Sequence, residues 1–337
     1  MYNSIIKGLG KYVPERIVTN HELTEYMDTS DEWIRERTGI EQRHWVQEGD
    51  GNTTASMGYK AAKQAIERAG LTPEDIDFIV FATLSPDYFF PGSGVLLQDM
   101  LGVPDIGALD VRNQCSGFIY ALNVADKFIK TGTYKNILVV GSEVHSEGLD
   151  LSTRGRAVSV IFGDGAGAVV LSRTDDRNKG ILAGNLHSQG KYALELAVKD
   201  PGSRMPVKKV VERVNTEKDY IDYYPYMNGN FVFKNAVVRF EEAIMEALND
   251  AGLSKEDLDM FIPHQANLRI SQFIQKRMGL RDDQVWNNIQ KYGNTTAASI
   301  PIALTEAWES GAIKEGDLVV LAAFGSGFTW GASLIRW

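Results

Sequence analysis

Among 337 residues there is one cysteine, Cys115, so no intrachain disulfide can form. Long apolar runs are missing too: LVVLAAF at 318–324 falls far short of the roughly 20 residues that cross a bilayer. The opening MYNSIIKGLGKYVPE lacks the apolar core of a secretory signal, and a reducing cytosol is the expected setting. Basic residues are in deficit, Lys+Arg 35 against Asp+Glu 44 for a net charge of −9, which argues against nucleic acid as a principal partner. Apart from His264, the histidines (His21, His44, His145, His187) show no HExxH-like spacing, and with no second cysteine a zinc site is not expected. GDGAGA at 163–168 lacks the lysine of a P-loop and GLGKYVPE at 8–15 fails GxGxxG, so both are read as tight turns.

What is present is a repeat. AGLTPEDIDFIVFA, from Ala69, returns as AGLSKEDLDMFIPH, from Ala251, 182 residues later. CSGFIYALNVADKFIKTGTYKNILVV is echoed by NTTAASIPIALTEAWESGAIKEGDLVVL, which sets Cys115 against Asn294 at a spacing of 179. FGDGAGAVVL, from Phe162, resembles FGSGFTWGASL, from Phe324. Three echoes in one order imply a duplicated α/β unit, with residues 1–175 forming an N-terminal half and 176–337 a C-terminal half. The short apolar runs DFIVFATL, NILVVGSE, MFIPHQ and DLVVLAAF alternate with amphipathic helices, so a largely parallel, buried sheet is expected, with functional groups at its strand ends.

Phe118, Leu122, Ala125 and Ile129 give a helical period that starts just after Cys115. A thiol at a helix N-terminus meets unpaired N–H groups that favour thiolate, the nucleophilic form. A small buried apolar residue is the competing reading of a free cysteine. His264 follows the strand DMFIP, and Pro263 places it beyond the strand end. Asn294 alone reads as an ordinary helix cap. If a pseudo-two-fold axis relates the halves, these distant residues converge.

QCSG at 114–117, PHQANLRI at 263–270 and GNTTAAS at 293–299, together with TSDEWIRERTGI, RGRAVSVIFGDGAGAVV and FGSGFTWG, resemble the β-ketoacyl-acyl carrier protein synthase III family, condensing enzymes of the thiolase superfamily. The resemblance covers nearly the whole chain and implies a thiolase-like fold, two α/β halves in five αβαβα layers, usually as a homodimer. It implies that Cys115 takes an acyl group from acyl-CoA as a thioester. His264 and Asn294 would then activate a malonyl-acyl carrier protein for decarboxylative condensation to a 3-oxoacyl product, the initiating step of fatty acid synthesis. Decarboxylation puts negative charge on a thioester carbonyl oxygen, which two fixed N–H donors stabilise. No cofactor or metal is implied, since acyl-CoA is a substrate.

The resemblance also assigns the backbone N–H groups of Cys115 and Ser326 to an oxyanion hole, with a serine where other members carry glycine. Trp33, Arg37 and Arg154 match CoA-contacting positions, Trp33 and Arg154 as an adenine sandwich. Phe90 matches a residue that reaches the partner subunit's acyl pocket. Arg269, Gln272 and Lys276 lie at i, i+3 and i+7 beside Arg277, where the family receives its acidic carrier protein. Residues 200–226, with Tyr220, Tyr223, Tyr224 and Tyr226, look like a polar insertion: a lid, a dimer contact or a solvated loop.

Four other readings are weighed. A synthase III-like enzyme of specialised metabolism would keep the three residues and change the pocket. A hydroxymethylglutaryl-CoA-synthase-like reaction needs a glutamate base where ATLS at 82–85 places Leu84. A cysteine protease would carry a different signature around its cysteine. A non-catalytic acyl-CoA-binding module would not need the Cys115, His264 and Asn294 set.

Overall fold

The computed structural model describes residues 2–337. One sheet holds five strands, β1 (Asn3–Tyr12), β2 (Phe78–Ala82), β3 (Gly107–Val111), β4 (Asn136–Glu143) and β5 (Gly165–Thr174), in the order β1-β5-β4-β2-β3. The other holds β6 (Gly180–Ser188), β7 (Met260–Pro263), β8 (Leu318–Gly325) and β9 (Thr329–Arg336), in the order β7-β8-β9-β6. Both sheets repeat one pattern. A parallel pair, β2 with β4 or β7 with β8, is followed by antiparallel neighbours, β5 and β1 or β9 and β6. The sheets are therefore mixed, which corrects the largely parallel expectation. The chain turns back after β4 and after β8 instead of crossing over through a helix.

Eight helices complete the layers: α1 (Asp31–Thr38), α2 (Thr54–Arg68), α3 (Ser93–Leu101), α4 (Gly117–Lys130), α5 (Val207–Thr216), α6 (Gly229–Asp250), α7 (Leu268–Met278) and α8 (Ser299–Glu309). Helix α2 begins at a capping box of Thr53 and Ser56, which satisfies N–H groups the helix itself leaves open. It packs with α3 on the outer face of the first sheet, through Met57, Ala61, Phe81 and Leu97. Helices α6 and α7 cover the outer face of the second sheet, through Phe240, Ile244, Ile274 and Val320.

Between the sheets lie α4 and α8. Phe118, Leu122 and Ile129 of α4 and Ile300 and Leu304 of α8 are closed off from solvent together with Val80, Val139 and Leu321. Burying such a side chain stabilises the fold by about 1.5–3 kcal/mol. The layers thus read helix, sheet, helix, sheet, helix.

The repeat survives at a constant spacing of 182: β2 and β7 start at 78 and 260, α4 and α8 at 117 and 299, β4 and β8 at 136 and 318. The one-turn segments before the central helices, Gln114–Ser116 and Thr296–Ala298, keep it too. Cys115 therefore corresponds to Ala297 and not to Asn294, and the spacing of 179 read from the letters is three residues out of register. Strand β3 has no full counterpart; a single parallel bridge from Phe261 to Val285 stands in its place.

Candidate active site

Cys115 sits in the one-turn segment ahead of α4, 8% exposed, with its turn pressed against the end of β8. A Cβ on Gly325 would lie 2.6 Å from the Cys115 Cβ and 3.2 Å from its sulfur, so only glycine allows this approach. Gln114, just before the nucleophile candidate, holds φ 45, and its counterpart Thr296 holds φ 50. Both are left-handed conformations that cost a non-glycine residue on the order of 1–3 kcal/mol and tend to persist where geometry is used.

Burial pushes the Cys115 thiol up to about 12, and the Glu143 carboxylate adds to the rise, while the backbone N–H groups of Cys115 and Ser326 act in the opposite direction. The resting group is a thiol. This corrects the expectation that the helix start alone would hold a thiolate, because desolvation of the charged form is the larger effect here. The two amides do point at the sulfur region. Ser326 turns its hydroxyl away to the Leu196 carbonyl, and the positive φ of this turn falls on Gly327, φ 134, not on Ser326.

His264 leaves the end of β7 with its N–H bonded to the Ala322 carbonyl at 2.9 Å. Its Nδ1 lies 2.6 Å from Ser299 Oγ, whose oxygen also accepts the Gln265 N–H. With the Ser299 hydroxyl donating to Nδ1, the proton of a neutral ring sits on Nε2, the tautomer that offers an N–H to the cavity. Burial holds this imidazole down to about 3, with His145 adding a smaller effect in the same sense, so it is uncharged at neutral pH. Nε2 is buried and has no partner among the described residues. Buried polar atoms are seldom left open, and this one faces a cavity.

Asn294 reaches the same cavity. Its Oδ1 accepts the Thr296 N–H at 2.9 Å, which fixes the amide so that Nδ2 is the atom left free. Its backbone is anchored by a 2.9 Å bond from its N–H to the Ile161 carbonyl. Cys115, His264 and Asn294 all line one cavity of about 470 Å³, together with Trp33, Arg37 and Arg269. The three central groups are buried, whereas Arg37 and Arg269 are exposed, so the cavity runs from a cationic rim to a buried floor. Asn267 Nδ2 ties the start of α7 to α1 by a 2.8 Å bond to the Arg37 carbonyl, holding the two rim helices together.

Other expected positions fall elsewhere. Arg154 does not line the cavity: its Nε bonds Asp150 at 2.7 Å and its guanidinium lies 5.7 Å from the Tyr224 ring. The cations over Trp33 are Arg37 at 4.4 Å and Arg156 at 5.0 Å, so the sandwich with Arg154 is not formed in this structure. Phe90 is 82% exposed beside Phe89 and Tyr88, away from the cavity. On α7, Arg277 is paired with Glu241 at 2.7 Å, and Arg269 lies 5.9 Å from the Phe233 ring. Lys276 has no acidic partner among the described residues. The 200–226 segment carries α5, and its stem pairs Tyr226–Met227 with Leu196–Ala197. Tyr220 is buried within it and donates to Asp200 at 2.5 Å.

Three positions escaped the sequence reading. Ser299, which orients His264, lies inside the GNTTAAS stretch, but its contact is tertiary. Gly325 lies inside FGSG without any sign of what it touches. Glu143 ends β4 as a buried carboxylate that accepts from the Thr83 and Ser85 hydroxyls and the Leu84 and Ser85 amides at 2.6–3.2 Å. Burial raises it to about 7 against these hydrogen bonds.

The five-layer architecture with a cysteine turn at its centre is the thiolase-like fold, shared at a TM-score of 0.90 with the crystal structure of 3-oxoacyl-[acyl-carrier-protein] synthase III from Aquifex aeolicus VF5. That protein is 42% identical, over 99% of this chain and 100% of its own. Residues 109–190 match the family 3-oxoacyl-[acyl-carrier-protein (ACP)] synthase III, and residues 248–337 match its C-terminal family. The beta-ketoacyl-[acyl-carrier-protein] synthase III of Listeria innocua is 44% identical over 335 residues, 99% of each chain. A Bacillus anthracis protein of that name, with the suffix 1, is 43% identical over 332 residues, 98% of each. The chain belongs to the 3-oxoacyl-[acyl-carrier-protein] synthase III family.

Proposed function

We propose that this chain is the acyltransferase that condenses an acyl-CoA starter with a malonyl-acyl carrier protein, with Cys115 as nucleophile and His264 and Asn294 as the decarboxylating pair. In the first half-reaction the Cys115 sulfur adds to the thioester carbonyl. The developing oxyanion is met by the Cys115 and Ser326 amides, each donor contributing on the order of 3 kcal/mol. CoA then leaves as its thiol, taking up the proton the cysteine gives up. In the second, the bond from malonyl C2 to its carboxylate breaks and CO2 departs. The electron pair enters an enolate whose oxygen accepts from His264 Nε2 and Asn294 Nδ2. C2 then attacks the acyl carbon and expels the Cys115 thiolate, giving the 3-oxoacyl product.

One observation carries this reading: two N–H donors, each with its other polar atom already engaged, open into the cavity that holds the only sulfur nucleophile. No step calls for a metal or a bound cofactor. A free thiol nucleophile suits a reducing cytosol. The halves 1–175 and 176–337 are the units we assign to the duplication. A homodimer is supported by the unpaired edge strand β3 and the exposed Tyr88, Phe89, Phe90 and Leu109 near it, an apolar surface monomers rarely leave bare. Trp33, Arg37 and Arg154 are assigned to CoA, Arg154 from a position where its Nε bonds Asp150, and Arg269 with Lys276 and Arg277 is assigned to the carrier protein.

Intact mass after incubation with acetyl-CoA tests the first half-reaction: an acetyl adduct on Cys115 is expected, absent in Cys115→Ser. Asn294→Ala should still be acylated but should release no CO2 from malonyl-carrier protein. CoA binding without any adduct on the wild-type chain overturns the proposal in favour of a binding module.

A further inference from the structure

Cys115 also borders a second cavity of about 310 Å³, separate from the first except at Cys115, Phe162 and Leu196. On the reading above, the first cavity receives the CoA arm and the second receives the tail of the acyl group once it is on the sulfur. Part of its wall is apolar, among it Leu84, Leu149 and Phe162. Its remaining lining is not what an alkyl tail asks for. Arg112, Gln114, His145 and Thr296 all face it, and no acidic side chain does.

Arg112, Gln114 and His145 each keep a polar atom without a protein partner among the described residues. Arg112 is solvent-exposed and has no ion-pair partner among the described residues, and neither its guanidinium nor the Gln114 carboxamide has a side-chain hydrogen bond there. His145 Nε2 is taken by Thr296 Oγ1 at 2.6 Å, and the ring rests on Phe162 at 4.7 Å, so Nδ1 is the ring's one remaining polar atom. Burial holds that imidazole down to about 4, leaving it uncharged at neutral pH. Arg112 is therefore the cavity's single formal charge. Ser85, by contrast, is fully engaged, donating to Glu143 and accepting the Val144 N–H. Its hydroxyl offers nothing to a ligand.

We infer that the starter compartment selects an acyl group ending in a carboxylate, a short dicarboxylic acyl thioester, with Arg112 as the charge partner and Gln114 and His145 Nδ1 as neutral donors. A guanidinium matches a carboxylate with two parallel N–H donors, which a methyl terminus leaves unpaired. A site built to hydrogen-bond a substrate oxygen also rejects the analogue that lacks it more strongly than an apolar pocket rejects an extra methylene. Arg112 lies three residues before the nucleophile, so their Cα atoms are at most about 11 Å apart, which suits a short acyl group. This inference rests on the acyl-transfer reading.

The test compares two donors matched at four carbons, butanoyl-CoA and the CoA monothioester of butanedioic acid, by the rate of Cys115 acylation in intact mass. The wild-type chain should favour the carboxylated donor at least tenfold. In Arg112→Gln that ratio should fall at least tenfold, and in His145→Leu it should fall several-fold, with folding of both variants checked by circular dichroism. A wild-type ratio of one or below, or a ratio unmoved in a folded Arg112→Gln variant, overturns the inference and leaves the acyl-transfer reading standing. If neither donor nor acetyl-CoA acylates Cys115, the acyl-transfer reading itself falls.

Discussion

Gly325→Ala adds a single methyl group at the point where β8 meets the nucleophile's turn. The new Cβ would lie 2.6 Å from Cys115 Cβ and 3.2 Å from both its nitrogen and its sulfur, against an ordinary contact of 3.4 Å or more. The backbone at Gly325 is not in the left-handed region, so the penalty is purely one of space. Relief requires the strand or the turn to move by close to an ångström. Strand β8 is buried along its full length. The turn is backed by Gly117, whose own Cβ position already meets Ala82 at 3.4 Å and Ala297 at 3.5 Å. Overpacking of this kind costs about 1–3 kcal/mol, and at roughly 2 °C per kcal/mol for a chain of this size Tm should drop by about 2–6 °C. The chemistry should suffer more, since a misplacement of about 1 Å at a nucleophile lowers rates on the order of 100-fold. Thermal unfolding and the rate of Cys115 acylation by acetyl-CoA, measured on the same preparation, check both halves. A variant with a lowered Tm but an unchanged acylation rate would show that the turn yields without moving the sulfur, which refutes the tight coupling argued here.

Ser299→Ala removes the hydroxyl that fixes the His264 tautomer, so CO2 release from malonyl-carrier protein should fall roughly 10- to 100-fold, with acylation changed far less; equal losses in both assays would count against its role. Arg269→Glu should impair the carrier-protein step and spare loading from acyl-CoA, a contrast that a matched pair of half-reaction assays reads directly. Stability should also follow the buried titratable groups. His264 and His145 are held below the ordinary 6.5, at about 3 and about 4, so the unfolded chain binds the extra protons, and their contribution is complete above pH 6.5 and lost as pH falls. Glu143 has the opposite sign. It is raised from 4.5 to about 7, so its contribution is present below 4.5 and lost as pH rises through 7. Between 4.5 and 6.5 two histidines oppose one glutamate, and these groups should cost about 1.4 kcal/mol per pH unit, more steeply below 4.5. Urea midpoints at pH 7.5, 6.5, 5.5 and 4.5 measure this, and stability rising from 6.5 to 5.5 would contradict it.

The duplication, the strand-end positions and the convergence of Cys115, His264 and Asn294 were legible in the letters, because periodicity and repetition are properties of sequence. What stayed hidden depends on which surfaces meet. The register of the second echo lies three residues off because the letters around the two turns do not match closely, whereas the backbone aligns Thr296 with Gln114 through their shared left-handed turn. The direction of the Cys115 shift was misjudged because a helix start is visible in sequence and the depth of burial is not. Arg154 and Arg156 stand two residues apart, and only the fold decides which of them lies over Trp33.

The corrected register also explains why a doubled chain has one reaction centre. The two central turns are built alike, each led by a strained residue and each facing the end of a strand from the other half. At the first, Cys115 faces Gly325 of β8, where the missing side chain leaves room for sulfur and for an oxyanion. At the second, the turn carries Ala297, and the position equivalent to Gly325 is Glu143 at the end of β4. Its carboxyl group accepts the Ala297 N–H at 3.5 Å, so an internal acid occupies the place that, on the proposed mechanism, a substrate oxygen takes beside Cys115. Strain was kept in both turns although only one has a nucleophile. The second turn therefore serves the first, since Asn294 and Thr296, which shape the two cavities around Cys115, are carried on it.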